Sequence, residues 1–390
     1  MVNKIKLGDI ATVITKGTTP TSLGFSFVED GINFVKIESI NEDGTFIPEK
    51  FAHINSKCNE KLKRSQLQEN DVLFSIAGAI GRTAIVTKDI LPANTNQALA
   101  IIRIPNGVVD YKYLIYALES DSTIEQANKN KQGVAQLNLS LQNINDFVIP
   151  LFTEEKQKEI VSSLSLLDDL ISARKEQLSK LDELVKSRFI EMFGDPMLNT
   201  KGFQLVPYGS LFELNAGGTP SKKESKYWDG GTISWIGSNM CQNEIIYQND
   251  GKYITEDGYN NSSARMFPID TVLIALVGAT IGKTALLKFE TTTNQNVLGI
   301  RKIAESSNNP YFVFYYTQGL YNKFLEIGDG GFSMASKDFV SKLPFPIVPI
   351  DLQNQFAEFV EQTDKIKLEV KESLEKLETL KKSLMQKYFG

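Results

Sequence analysis

Val72-Leu73-Phe74-Ser75-Ile76-Ala77-Gly78-Ala79-Ile80-Gly81-Arg82-Thr83-Ala84 is written twice in this chain, the second time as Val272-Leu273-Ile274-Ala275-Leu276-Val277-Gly278-Ala279-Thr280-Ile281-Gly282-Lys283-Thr284-Ala285. In each version a strand-like apolar run enters a glycine-framed turn that carries one cation, then threonine and alanine. The copy extends in both directions. Upstream, Gly17-Thr18-Thr19-Pro20 recurs as Gly217-Gly218-Thr219-Pro220. Downstream, Thr95-Asn96-Gln97 recurs as Thr293-Asn294-Gln295, each followed six residues later by an arginine, Arg103 and Arg301. Each copy reaches a proline-marked end, Ile149-Pro150 and Val348-Pro349, and runs into a helical segment that closes on Phe193-Gly194 or Phe389-Gly390. A period of about 196 to 201 residues is too long for a solenoid unit. The chain is therefore a duplicated domain pair.

Within each copy the first ~150 residues hold short β-branched and aromatic runs broken by Gly, Asn and Asp, as in Ile32-Asn33-Phe34-Val35-Lys36-Ile37. That pattern predicts a mostly β domain with a few helices, among them 111–119 and 311–318. The second part of each copy predicts one long helix, at 153–192 and at 351–388. Heptad positions in the first are Leu164, Leu167, Ile171, Arg174, Leu178, Leu181, Val185, Arg188 and Met192. In the second they are Val360, Thr363, Lys367, Val370, Leu374, Leu377, Lys381, Leu384 and Tyr388. The polar interruptions fall at different places, which suits pairing of the two helices with each other better than self-association of identical chains. The alternative is two amphipathic helices, each packed on its own domain. The expected pairing residues are Leu164, Ile171, Leu178, Leu181 and Val185 against Val370, Leu374, Leu377 and Leu384. The chain must return across the whole second domain between helices, so an antiparallel pair is expected, each helix about 60 Å long at ~1.5 Å per residue.

Composition sets limits. The chain has 390 residues and a net charge of −5, of which the two helical segments, with 17 acids and 14 bases, hold a large share. Basic runs remain elsewhere, at Lys61, Lys63, Arg64 and at Lys222, Lys223, Lys226. Such runs read equally as solvated faces, so composition leaves the partner open. No apolar stretch is long enough for a transmembrane helix and no signal region opens the chain, which points to a cytoplasmic protein without a membrane partner. Cys58 and Cys241 suggest neither a disulfide framework nor a zinc set, and His53 is the only histidine.

Two motifs tempt and fail. The turn at 278–284 resembles a phosphate-binding P-loop but has three residues between its glycines where four are needed. Ala285-Leu286-Leu287-Lys288-Phe289 then reads as a strand, whereas a P-loop opens a helix. Asn308-Asn309-Pro310-Tyr311 reads as a turn into a helix in place of a methyltransferase loop. No catalytic or metal-binding constellation is left, and the sequence is that of a binding protein.

The ordered set of motifs carries a resemblance. It comprises Gly217-Gly218-Thr219-Pro220-Ser221 with Tyr227-Trp228 and Trp235, the glycine turn at 278–284, and the Thr-Asn-Gln triplets. It also includes Gly133-Val134-Ala135-Gln136-Leu137-Asn138-Leu139-Ser140 and the ending Phe189-Ile190-Glu191-Met192-Phe193-Gly194-Asp195-Pro196. Together these are similar to the specificity subunits of Type I restriction-modification systems, over essentially the whole chain. The resemblance implies an α+β fold with a pseudo-two-fold internal repeat. Residues 1–152 and 195–350 would be two mostly β target-recognition domains, and 153–194 and 351–390 two long spacer helices forming an antiparallel coiled coil. It further implies that each domain reads half of a split, asymmetric double-stranded DNA target. The helices would set the spacing and dock two modification (methyltransferase) subunits, with restriction (translocase and nuclease) subunits joining them. No cofactor is implied for this chain itself; S-adenosylmethionine, ATP and Mg would belong to the partners. The first copy departs from the pattern by lacking the Tyr-Trp pair and a tryptophan equivalent to Trp235, and the segment after Gly331 drops the Gln-Leu-Asn pattern, so unlike half-sites are expected.

Candidate DNA contacts follow from chemistry. Arg82 and Lys283, on glycine turns, are assigned to phosphates. Asn96, Gln97, Asn294 and Gln295 have the groups to pair with adenine edges, or equally to cap turns common to both copies. Lys222, Lys223 and Trp235 are candidates for half-site reading in the second domain, and Lys36, the alignment neighbour of Trp235, in the first. Three rival readings remain open: a stand-alone restriction-modification enzyme, the specificity subunit of a related Type IIB-like methylase-nuclease, and a two-headed protein scaffold without salt-dependent DNA affinity.

Overall fold

A computed structural model describes residues 3–129, 138–303, 307–326 and 334–390. The motif residues 133–137 and 331–333 lie outside the described residues. The chain divides into two compact units, Met1–Lys175 with Glu372–Gly390, and Glu176–Lys371. Each long helix therefore contributes to both units.

The quoted stretch of the first copy becomes two strands of a four-stranded antiparallel sheet. Its order is Val13–Lys16, Leu99–Arg103, Val72–Ser75, Thr83–Ile85. Period-2 alternation splits its side chains between two cores. Val72, Phe74, Ala100 and Ile102 pack with Tyr113, Leu114 and Leu118 of the helix Tyr111–Glu119, while Leu73, Leu99 and Ile101 pack with Val35, Ile40 and Val86. The second core is shared with a three-stranded sheet, Ala52–Ile54, Ile32–Val35, Ala93–Thr95, whose last two strands run parallel. Because both faces are covered, Val72–Ser75 is buried throughout, and its residues read as a continuous apolar run.

The second unit repeats this plan with longer sheets. A five-stranded sheet runs Phe212–Ala216, Val297–Lys302, Val272–Ala275, Thr284–Leu287, Glu244–Ile246. A four-stranded one runs Tyr253–Ile254, Ile233–Ile236, Thr291–Thr293, Met266–Phe267. Val272, Ile274, Leu298 and Ile300 face the helical core, and Leu273, Ala275, Ala285 and Leu287 face the other. The segment after the false P-loop is indeed the strand Thr284–Leu287, and Asn309 caps the helix Pro310–Gly319 with proline at its first turn. Each domain is closed by a proline-containing strand pair, Asn3–Lys6 with Val148–Leu151 and Leu205–Pro207 with Pro344–Pro346.

The long helices span Glu154–Phe193 and Ile350–Phe389, 40 residues each. Gly194 ends the first in the left-handed conformation (φ +78°), its N–H donating to the Ile190 carbonyl at 2.8 Å. Inside the first unit, Lys381 pairs with Asp168 (2.5 Å) and Lys175 with Glu378 (3.4 Å). Inside the second, Lys367 pairs with Asp182 (2.5 Å), and Phe356 meets Phe189 and Phe193. One residue number rises as its partner's falls, so the helices run antiparallel within each unit. Lys367 and Lys381, interruptions in the apolar seam, thus bridge between helices. Of the expected pairing residues, Leu164, Val185 and Val370 are buried, while Ile171, Leu178, Leu181, Leu374, Leu377 and Leu384 are half-buried.

The helix ends are cemented into domain cores. Ile160, Leu164 and Phe389 belong to the first core; Val185, Phe189, Phe193, Phe356 and Val360 belong to the second. A repeated polar joint fixes each helix start. Buried Gln157 accepts a hydrogen bond from the Asp110 backbone N–H and donates to the Phe152 carbonyl, both at 2.9 Å. Gln353 does the same with Asn309 and Val348, again at 2.9 Å. Among the described residues no helix is long and apolar enough to cross a membrane.

Candidate nucleic-acid interface

The glycine loop of each copy is seated on its Thr-Asn-Gln turn. Gly17 donates its N–H to the Asn96 carbonyl (3.1 Å), and a Cβ there would lie 1.7 Å from the Thr95 oxygen. Gly217 and Gly218 are equally confined: a Cβ would come within 2.0 Å of Thr293 Oγ1 and 2.3 Å of the Ser263 carbonyl group, respectively. Only glycine permits so close a backbone approach. The threonine of each loop then donates to the glutamine of each triplet, Thr19 to Gln97 at 2.5 Å and Thr219 to Gln295 at 2.6 Å. Asn96 and Asn294 close the turn itself, each Oδ1 accepting a backbone N–H two residues on at 3.0 Å. All four amide side chains expected as base readers or turn caps therefore have a turn-building role in both halves.

Arg82 and Lys283 are also engaged within the fold. Arg82 is half-buried, and its Nη1 donates to the Ile37 and Ile40 carbonyls at 3.2 and 2.8 Å. Lys283, half-buried as well, donates to Gln242 Oε1 at 2.9 Å, and Gln242 in turn donates to the Asn239 carbonyl at 3.0 Å. Each cation fastens the short loop that follows a parallel strand, Ile37–Ser39 or Ser238–Met240. Both cations thus serve as internal fasteners of their loops.

Trp235 is only 6% exposed and supports the loop beside it. It packs edge to face on Trp228 (centroids 5.2 Å, 81°). Strand register also corrects its counterpart: Trp235 lies opposite Thr292 and Phe34 opposite Asn94, one residue before the threonines of the two triplets. Phe34, not Lys36, is the equivalent of Trp235, and it packs edge to face on Phe27 (5.4 Å, 65°) as Trp235 does on Trp228. The first half therefore keeps the aromatic pair without the indoles. Lys36 lies 4.7 Å above the Phe27 ring and 3.7 Å from Glu38.

Two basic turns stand exposed beside the frame. Lys222 and Lys223 sit exposed in the turn that follows the second glycine loop. In the first unit Lys61, Lys63 and Arg64 are exposed on a turn held by buried Asn94, whose Nδ2 donates to the Leu62 carbonyl (3.1 Å) and whose Oδ1 accepts from Ser65 (2.7 Å). Among the described residues none of these five cations forms an ion pair. Lys226 differs: its partner is Asp257 at 3.1 Å, whose hydrogen bond holds the ammonium above its ordinary pKa.

The profile of the Type I restriction modification DNA specificity domain matches residues 2–183 and again residues 200–379. The chain belongs to that family. Among specificity-subunit relatives, a Methanocaldococcus jannaschii protein named for type I restriction enzyme MjaX is 24% identical over 407 residues, 97% of this chain and 91% of the relative. The fold is that of solved type I chains. The S subunit from M. genitalium superposes with a TM-score of 0.57 at 15% identity, covering 100% of this chain and 96% of that one. A chain from a structure of type I system assembly and conformational transition gives 0.59 at 18%, covering 99% and 97%.

For a specificity protein, the other reactive groups are quiet. Cys58 and Cys241 are buried free thiols, and burial pushes Cys241 up to about 12. Among the described residues no three His, Cys, Asp or Glu side chains gather as metal ligands. Sequence reading missed Gln157 and Gln353, although their recurrence at the repeat spacing was visible, and it missed the indole donors because a tryptophan's partner cannot be read from spacing.

Proposed function

We propose that this chain is the DNA-reading subunit of a type I restriction-modification complex, each unit taking one half of a split, asymmetric target. The observation that carries this reading is a repeated internal frame with unlike, unpaired basic turns outside it. Groups common to both halves, such as Thr19 with Gln97 and Thr219 with Gln295, close the frame and so do not distinguish half-sites. Lys222 and Lys223 in one unit, and Lys61, Lys63 and Arg64 in the other, differ in place and are exposed for phosphate or base contact. In this reading the long helices dock two modification subunits, and restriction subunits join that assembly. The chain itself performs no chemistry. S-adenosylmethionine enters with the modification subunits, and ATP and Mg with the restriction subunits.

The test is co-expression with the modification subunit, followed by sequencing of methylated sites and DNA binding across a salt series. The expected result is one bipartite motif with two unlike halves, salt-dependent affinity, and no methylation by this chain alone. Methylation by the chain without partners, or affinity indifferent to salt, overturns it.

A further inference from the structure

The turn bearing Lys222 and Lys223 is fastened at several points, and two of the fasteners are indole N–H groups. Trp235 Nε1 donates to the Gly218 carbonyl at 3.1 Å, and Trp228 Nε1 donates to the Ser221 carbonyl at 3.1 Å. Thr219 is tied to Gln295, Gly218 donates to the Thr293 carbonyl (2.8 Å), and the Glu224 N–H closes the turn on Ser221 (3.2 Å). The two lysines project from a loop whose carbonyls are gripped on either side of Pro220.

The first unit holds its loop without such donors. Phe27 and Phe34 occupy the same ring positions but have no N–H to give. There the segment Pro20–Leu23 winds into its own 3-10 turn: Ser22 donates to the Thr19 carbonyl through both N–H (3.1 Å) and Oγ (2.7 Å), and the Phe25 N–H reaches Pro20 (3.1 Å). Two ring pairs of similar placement thus support loops of different sequence, length and shape, and only the tryptophan pair can donate to its loop.

We propose that Trp228 and Trp235 are positioning residues of the second half, whose indole N–H groups set the loop that brings Lys222 and Lys223 onto the DNA. This rests on the DNA-reading role above. Neither indole touches DNA in this scheme. They act through the lysines.

The experiment uses the methylase assembled with this chain and duplexes carrying its methylome-defined site, intact or with one half scrambled. Trp228→Phe/Trp235→Phe keeps both rings and removes both donors. Affinity for the intact duplex should fall roughly tenfold, the scale of two lost hydrogen bonds. The salt slope should flatten by about two, as for Lys222→Ala/Lys223→Ala. Combining the tryptophan and lysine changes should do no more than the lysine change alone, because both act through one contact. Scrambling the half-site read by the first unit should cost variant and wild type the same factor. Wild-type affinity after Trp→Phe, or effects that add to those of the lysine change, overturns the proposal. Should the double variant fail to fold, Trp228→Phe alone, at the half-buried ring, is read by the same criteria. Wild-type complex without salt-dependent binding would instead sink the DNA-reading role itself, which separates the two failures.

Discussion

The two units share a frame and differ in how polar groups brace it. Asp71 is wholly buried and grips Arg103 through two hydrogen bonds, at 2.6 and 2.7 Å; the second unit has Thr271 in its place, whose hydroxyl donates to the Pro268 carbonyl at 2.7 Å. Glu119 ends one short helix, and Gln318 stands at the same position of the other, counted from the capping residues Asp110 and Asn309. The glycine loops follow suit, one held by indoles and one by its own turn. Apolar positions, by contrast, correspond almost strand for strand. Non-directional burial tolerates sequence change at constant shape, whereas each directional bond must be replaced by another solution or abandoned.

The largest effects should come where the halves agree. Phe193→Ala and Phe389→Ala each empty a buried ring site at the end of a long helix and should cost about 3–5 kcal/mol in denaturant unfolding. A cost below ~1 kcal/mol for one of them would show that the two cores are not equivalent.

Next comes the first clear asymmetry. Asp71→Ala strands Arg103 and should cost about 3 kcal/mol, against about 1 kcal/mol for Thr271→Ala. Equal losses would mean that the ion pair braces its unit no better than a hydroxyl does.

A smaller effect is expected between the helices. Lys367, 13% exposed, faces Asp182, 60% exposed, so a double-mutant cycle with Lys367→Met and Asp182→Asn should give a coupling of about 0.5–1 kcal/mol that weakens in high salt. Zero coupling would reduce the bridge to a geometric coincidence.

The smallest concerns Glu119, whose carboxyl is raised above its ordinary pKa chiefly by burial, opposed by the Thr83 hydrogen bond and Lys381. A raised acid holds its proton in the folded state at pH values where the unfolded chain has released it. Its contribution is thus full below the ordinary carboxylate pKa and is lost as pH rises through the folded value. Glu119→Gln, which installs the residue of the other unit, should match wild type in acid and melt higher at neutral pH. A lower neutral melting temperature for the variant refutes this.

The architecture was legible because it rests on periodicity. Short apolar and aromatic runs such as those at Val72 and Val272, seven-residue spacing from Leu164 onward and the repeat itself gave the domains, the helices and their pairing. The site was less legible. Arg82 and Lys283 have the chemistry of DNA contacts, yet their partners are two carbonyls and an amide far along the chain, which no local pattern reveals, whereas Asn96 and Asn294 each take a backbone N–H two residues on, the turn-capping alternative. The counterpart of Trp235 was misplaced for a related reason: linear alignment set it beside Lys36, and only the parallel pairing with Thr291–Thr293 shows that Phe34 is its counterpart.

Gln157 and Phe193 lie 36 residues apart, as do Gln353 and Phe389. At 3.6 residues per turn that is about ten full turns, so in each helix the polar joint at one end and the aromatic plug at the other share a phase. Each helix resembles a shaft keyed at both ends. Along the helix itself, one residue fewer turns the two keys about 100° against each other, and seven fewer only about 20°.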